Sequence, residues 1–427
     1  MLRPIQRLKD VVVTPLALHT LSKPFFNLAL VQVLANSVVV MQGLYLSTLL
    51  LRVTGDSNLV LYYNVVYYIF GAVGLFPAVV MVRRRPAVYC LRAAAFLYVS
   101  TYVILLAFMQ QIGFLWWLSA ALAGSGAGFE YLGYTMLLLD VTNNENRDKA
   151  LSMMSLLYGF NSLLLPVLAG AMITALYSWT GNELIGYIVL YSVCTLLLCA
   201  MLFCTLRLPK PMPVNRACYF RGVFRDLISH RSLRLALWMD TISGLRDGTF
   251  GFFLNLLLFE LIENEFVLGL KTFGCGVASI FAAYMAGRLL RPERRIKSML
   301  WSTSVMLLPV LLLYFDLSPW TVILVSLASS LTTIFITTPM TAMTLAVMQR
   351  MPDSQKKNPE CITIRTCFVA SGRLIGIFLV RSLTDTAIGC VTALALIVAS
   401  QYLLGFFGRW MERRLEQEEP APVPVHA

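Results

Sequence analysis

Five ionisable residues sit where an apolar chain carries them only at a cost: Glu130, Arg246, Asp247, Lys271 and Arg373. Each lies inside a long run of apolar residues. A charge at the middle of a hydrocarbon layer costs at least about 2.5–3.5 kcal/mol, so it needs a partner or water. Two carboxylates and three cations in such surroundings suit charge compensation, proton binding or recognition of a charged solute. The other chemistry is thin. The nine Cys are scattered with no Cys-x-x-Cys pair, and read as small apolar residues. The three His (His19, His230, His426) have no zinc spacing. No Gly-x-x-x-x-Gly-Lys-Ser/Thr run exists to cradle a nucleotide. No metal, no cofactor and no catalytic residue is expected, and the chain is not read as an enzyme.

The elements that carry these charges follow from composition. Of 427 residues, 58% are apolar and 13% charged, against about 45–50% and about 25% in soluble domains. That excludes a disordered chain and an ordinary soluble enzyme. A helix needs about 20 apolar residues to cross a membrane. Twelve stretches qualify, at roughly 27–51, 58–82, 86–109, 113–139, 150–176, 184–206, 235–259, 264–287, 298–315, 319–348, 362–384 and 386–408. None alternates polar and apolar residues as a barrel strand does, so the fold class is an all-α polytopic membrane protein.

Charge sets the topology. The chain has 34 basic and 22 acidic residues, formal net +12. Loops numbered alternately from the N-terminus place 27 of the cations on that terminus's side, and only Arg52 and Arg381 on the other. Cytoplasmic loops concentrate Lys and Arg, so both termini are expected in the cytoplasm, in the plasma membrane. The basic excess needs no nucleic acid; some connector Arg are expected to touch anionic lipid headgroups. Residues 1–26 read as a cytoplasmic segment without a cleavable signal, 27–206 as six helices, 207–234 as a connector with Pro209, Pro211 and Pro213, 235–408 as six more helices, and 409–427 as a disordered tail.

A shift of 207 residues aligns the first segment with the seventh: Leu28-Ala29-Leu30 meets Leu235-Ala236-Leu237, Leu49-Leu50-Leu51 meets Leu256-Leu257-Leu258, and Val60-Leu61 meets Val267-Leu268. Two parallel halves are one transporter architecture. With twelve helices, the six-plus-six split and the basic central loop, the chain resembles the major facilitator superfamily over nearly its whole length. The loop after the eighth segment reads Gly287-Arg288-Leu289-Leu290-Arg291-Pro292-Glu293-Arg294-Arg295. It keeps the Gly, the Leu and the Arg pair of that family's loop signature, but has Arg291 at the Asp position. After the second segment only Arg83-Arg84-Arg85 remains. Asn146-Arg147-Asp148-Lys149-Ala150-Leu151-Ser152 is similar to the family's loop between helices 4 and 5. Pro166 and Gly170 match part of its antiporter pattern in helix 5, where Asn161, Leu165 and Ala169 replace glycines.

The resemblance implies two pseudo-symmetric bundles that alternate access around a midplane site lined by helices 1, 4, 7 and 10. It implies a small-molecule substrate and, from the partial helix-5 pattern, export by antiport. Protons are the expected coupling ion and a monomer the expected state. The same resemblance puts helices 7 and 11 in one bundle. Asp247 lies about 18 Å and Arg373 about 16 Å from the cytoplasmic face at 1.5 Å per residue. We expect these two to pair, either as a static tie or as a pair that switches, with Arg246 turned towards the cavity. Asp247 and Glu130 are both proton-site candidates, and Glu130, with no evident partner at its depth, is the better one. Arg92 and Arg365 lie near helix ends and are expected to snorkel. Asn36, Gln42, Asn161 and Asn255 suit substrate contact or interhelical bonding equally well. Gly124, Gly126 and Gly128 read as close helix packing. A polytopic membrane enzyme, or a non-transporting receptor or scaffold of similar architecture, is the alternative; no His/Asp/Glu cluster at one face favours the enzyme.

Overall fold

In a hydrocarbon layer every backbone N–H and C=O must be satisfied within the protein, which drives apolar runs into helices. The computed structural model describes residues 22–142, 147–210, 217–290, 294–351, 356–383 and 386–417, and among them there is no strand. The helices are α1 (Lys23–Thr54), α2 (Ser57–Arg84), α3 (Val88–Ala107), α4 (Ile112–Val141), α5 (Arg147–Thr180), α6 (Glu183–Cys204), α7 (Phe220–Ser229), α8 (Arg231–Ile262), α9 (Glu265–Leu289), α10 (Arg295–Leu312), α11 (Pro319–Gln349), α12 (Asn358–Leu383), α13 (Ala387–Ser400) and α14 (Tyr402–Gln417). Arg291 and most of the expected N-terminal segment lie outside the described residues, and Arg147 is described only as the first residue of α5.

Among the described residues, eleven spans are long and apolar enough to cross a membrane, with α13 and α14 sharing the last (Ile388–Met411). The expected twelfth crossing is α8. It is 32 residues long, but Asp240, Arg246 and Asp247 interrupt its apolar character.

Local chemistry sets the ends. Ser22 caps α1, accepting from the Phe25 amide at 3.4 Å. Gly55 ends that helix in the left-handed region (φ 67°), its N–H donating to Leu51 O at 2.7 Å. Asp56 then caps α2 through the Asn58 amide at 2.9 Å. Gly181 (φ 66°) and Asn182 repeat the device between α5 and α6. A glycine adopts these angles without the Cβ clash an L-residue meets.

The last segment departs from expectation. It breaks at Gln401, whose amide donates to Ile242 O of α8 at 2.8 Å. It then runs on to Gln417, past the expected boundary at 408, with Met411 fully buried. The helix continues because Met411 still has a core to enter; the rest of the expected tail lies outside the described residues. The connector likewise holds a helix, α7, whose Val223 joins the same core.

The chain divides into two compact units. One takes residues up to Cys218 and adds 262–276; the other takes Tyr219–Leu261 and Val277 onward. In the first, α4 lies along α2 and α3, while α1 packs with α5 and α6. In the second, α10 packs with α11, α13 and α14.

Glycines set the closest approaches. A Cβ at Gly128 would stand 2.5 Å from Gly71 O, and one at Gly74 would stand 2.9 Å from Ser125 O, so α2 and α4 meet backbone to backbone. Gly126 instead faces the Tyr98 ring at 3.2 Å. Small residues at an interface let van der Waals packing supply the association that hydrophobicity cannot supply in lipid.

Candidate functional site

In the first unit the candidate site is built around Glu130 of α4. It is 7% exposed. Gln32 Nε2 of α1 donates to its Oε1 at 2.7 Å, and the Tyr98 hydroxyl of α3 donates to its Oε2 at 2.8 Å. Glu130 therefore has partners, where the sequence offered none. The signal was poor because Gln32 and Tyr98 lie on two other helices, distant in sequence. Both donors are neutral, and among the described residues no cation pairs with Glu130. Gln32 Oε1 is buried without a hydrogen bond of its own, with the Tyr158 hydroxyl close by.

The softer candidates in this unit hold helices together. Gln42 donates to the Tyr63 hydroxyl at 3.1 Å and accepts from the Tyr102 hydroxyl at 3.0 Å, which joins α1 to α2 and α3. Asn161 of α5 donates to Val33 O (3.0 Å), Ser37 Oγ (2.9 Å) and Asn36 Oδ1 (3.3 Å), all on α1. Arg92 is anchored rather than extended into solvent: it donates to Thr205 Oγ1 and Thr205 O, each at 3.3 Å, and lies over the Tyr89 ring.

A second polar group in this unit joins residues far apart in the chain. Arg52 Nε meets Glu265 Oε1 at 2.7 Å, and Tyr187 donates to that same oxygen at 2.8 Å. Nearby, the Tyr45 hydroxyl donates to Pro166 O. A Cβ at Gly170 would come 2.5 Å from Glu265 O, and one at Gly269 would come 2.6 Å from Pro166 O. The Pro166 and Gly170 positions thus serve the seat of the first turns of α9 on α5. Lys271 lies further along α9, half-buried.

In the second unit α8 and α12 meet at a glycine seam. A Cβ at Gly244 would collide with Val369 O, one at Gly372 with Thr241 O, and one at Gly376 would stand 2.5 Å from Leu245 O. Along this seam lie the charges. Arg365 of α12 donates to both oxygens of Asp240, each at 3.1 Å, and the Asp240 side chain is 0% exposed. This corrects the snorkelling expected of Arg365, and brings in a carboxylate that sequence reasoning missed. Asp240, in the N-terminal part of the seventh segment, was the available signal.

A second correction concerns Arg246 and Asp247. The sequence pairs Asp247 with Arg373 and turns Arg246 towards the cavity. Arg246 Nη2 nevertheless meets Asp247 Oδ1 at 2.7 Å. The flexible arginine stem lets its head curl back over the turn. Arg246 is 1% exposed, so it is buried rather than open to a cavity. Its Nη1 is buried without a hydrogen bond, while the Asp247 side chain is 35% exposed. Arg373 lies across the seam, its backbone and Cβ against Gly248. Asn255 donates to Gly251 O of its own helix at 2.9 Å.

The loop-motif residues do less packing. A Cβ at Gly287 would meet nothing within 4 Å. Arg288 lies over the Tyr284 ring at 4.4 Å. Arg294 precedes the first turn of α10, which begins at Arg295. Among the described residues no group of three His, Cys, Asp or Glu is placed to hold a metal ion.

The sequence profile of the Major Facilitator Superfamily matches residues 28–377. The chain belongs to the major facilitator superfamily. As a superfamily member it is a polytopic membrane transporter by family. It is 26% identical over 309 residues to the uncharacterized protein YqgE of Bacillus subtilis (strain 168), covering 70% of each chain. Its fold is similar to that of a D-xylose–proton symporter (TM-score 0.70, 12% identity, 90% of this chain and 96% of that one). It is also similar to a structure of the proton-dependent oligopeptide transporters (0.68, 10%, 92% and 99%). A third is a bacterial homologue of the iron transporter ferroportin (0.65, 14%, 92% and 100%). At these identities the likeness is one of fold.

Proposed function

We propose that this superfamily member is a secondary active transporter coupled to protons, with Glu130 as the proton site. The carrying observation is a buried carboxylate held by two neutral donors, Gln32 and Tyr98. One proton removes its charge without displacing a counter-ion. Gln32 suits both states, because an amide carries a donor and an acceptor. With Glu130 ionised its Nε2 donates, and with Glu130 protonated a flipped amide accepts through Oε1. Such a change would alter the ties among α1, α3 and α4, and so bias which state of the alternating-access cycle is favoured. Export of a small molecule is the proposed direction, supported by the partial helix-5 pattern at Pro166 and Gly170. The one-sided loop cations support cytoplasmic termini in the plasma membrane.

The test is flux in proteoliposomes against a metabolite pool, with and without a pH gradient. Glu130→Gln keeps the size and an acceptor oxygen but not the titration. The variant is expected to retain exchange and lose the response to the gradient. An unchanged response would remove Glu130 from the mechanism.

A further inference from the structure

Within the second unit a groove of about 660 Å³ opens between α9, α10 and α11. Its walls are apolar and aromatic: Phe281 and Met285 from α9, Trp301 from α10 and Phe335 from α11. Arg294 and Lys297 line it where α10 begins. Trp301 is 73% exposed and Phe281 59% exposed, so the groove opens to the surroundings of the helices.

Charge and depth point to one occupant. No carboxylate is among the described residues lining the groove. The first turn of α10 carries no acid and Arg294 forms no side-chain cap bond there, so the positive end of the helix adds to the two cations. From Lys297 to Val305, a second α10 residue on the wall, the groove follows the helix for about 12 Å at 1.5 Å per residue. An anionic head at one end and an apolar stem along the other match a groove with both features. A soluble anion would use the cations and leave the aromatic wall wet. A neutral lipid would leave both cations unmatched.

We propose that this groove binds an anionic phospholipid. The phosphate lies between Arg294 and Lys297, and one acyl chain lies along Phe281, Met285, Trp301 and Phe335. The α9–α10 connection is on the basic side of the chain, so the lipid belongs to the cytoplasmic leaflet, where anionic headgroups and basic interhelical pockets meet. Binding would fix the packing of α9 against α10 and α11, and would make the protein's thermal stability depend on the anionic lipid present.

The test uses the full chain purified in detergent, with retained lipid read by native mass spectrometry. Phosphatidylglycerol, phosphatidylcholine and inorganic phosphate are added in turn. Phosphatidylglycerol is expected to be retained in preference to phosphatidylcholine. Arg294→Gln with Lys297→Gln, both exposed positions, is expected to weaken that retention about 30-fold, as for two basic groups at an anionic surface. A second readout uses brominated phosphatidylglycerol, which should quench the fluorescence that Trp301→Phe removes. Equal retention of phosphatidylcholine would overturn the proposal, and so would an unchanged double variant. Displacement of the lipid by equimolar inorganic phosphate would also overturn it, because it would make the site one for a soluble anion.

Discussion

Arg365 grips Asp240 with two hydrogen bonds of 3.1 Å across the contact of α8 and α12, and the carboxylate beneath it is fully shielded. Removing one partner of such a pair leaves a buried charge alone, which costs about 3–5 kcal/mol. Asp240→Ala or Arg365→Ala is therefore expected to lower the unfolding midpoint strongly in detergent. Asp240→Leu with Arg365→Met should recover most of the loss, since an apolar pair of similar volume needs no charge compensation. A double variant as unstable as the singles would show that the pair does more than hold the helices.

Gln32 offers a second check on the Glu130 site. Gln32→Leu removes both the donor for the ionised state and the acceptor for the protonated one. A hydrogen bond to a charged group is worth about 1.5–3 kcal/mol, or roughly tenfold or more in an equilibrium. Gradient-driven flux is expected to fall by at least that factor. Gln42→Leu breaks a tie of similar burial that does not touch Glu130, and should leave the response to pH intact. Parallel pH titrations of flux in the two variants decide.

The glycine seam gives a contrast inside one molecule. Gly372→Leu would drive its side chain into Thr241 O, forcing α8 and α12 apart at about 1–3 kcal/mol or more. Gly287→Ala meets open space within helix α9, where alanine is favoured over glycine by up to about 1 kcal/mol. Thermal midpoints should move in opposite directions. A loss of transport in Gly287→Ala without a loss of stability would assign that glycine a role in movement.

Sidedness is open to direct labelling. Cys218 is exposed within the connector, just before α7. A membrane-impermeant maleimide should reach it only after permeabilisation, with Cys218→Ala as the control. Asp316→Cys, between α10 and α11, should label in intact cells. The reverse pattern would invert the topology.

Much of this was legible from sequence for simple reasons. Apolar runs of membrane length have one outcome in lipid, so the helices appear close to where they were expected. The packing role of Gly124, Gly126 and Gly128 was also legible, because small residues within an apolar helix have few other uses. The pairing of charges was not. Depth along a helix gives one coordinate only. It leaves azimuth and side-chain reach unknown, so depth alone does not tie Arg246 to Asp247 or Arg365 to Asp240.

The sequence by itself determined the class of the molecule: the apolar segments, the asymmetry of the cations and the isolated charges inside. These depend on composition and order along the chain, and each is set by transfer from water to lipid. Only the tertiary structure decided which groups meet. Glu130 with Gln32 and Tyr98, Arg52 with Glu265, and Asp240 with Arg365 each join helices far apart in the chain. Such contacts depend on how helices rotate and approach, and glycine seams set that approach at distances no local pattern encodes.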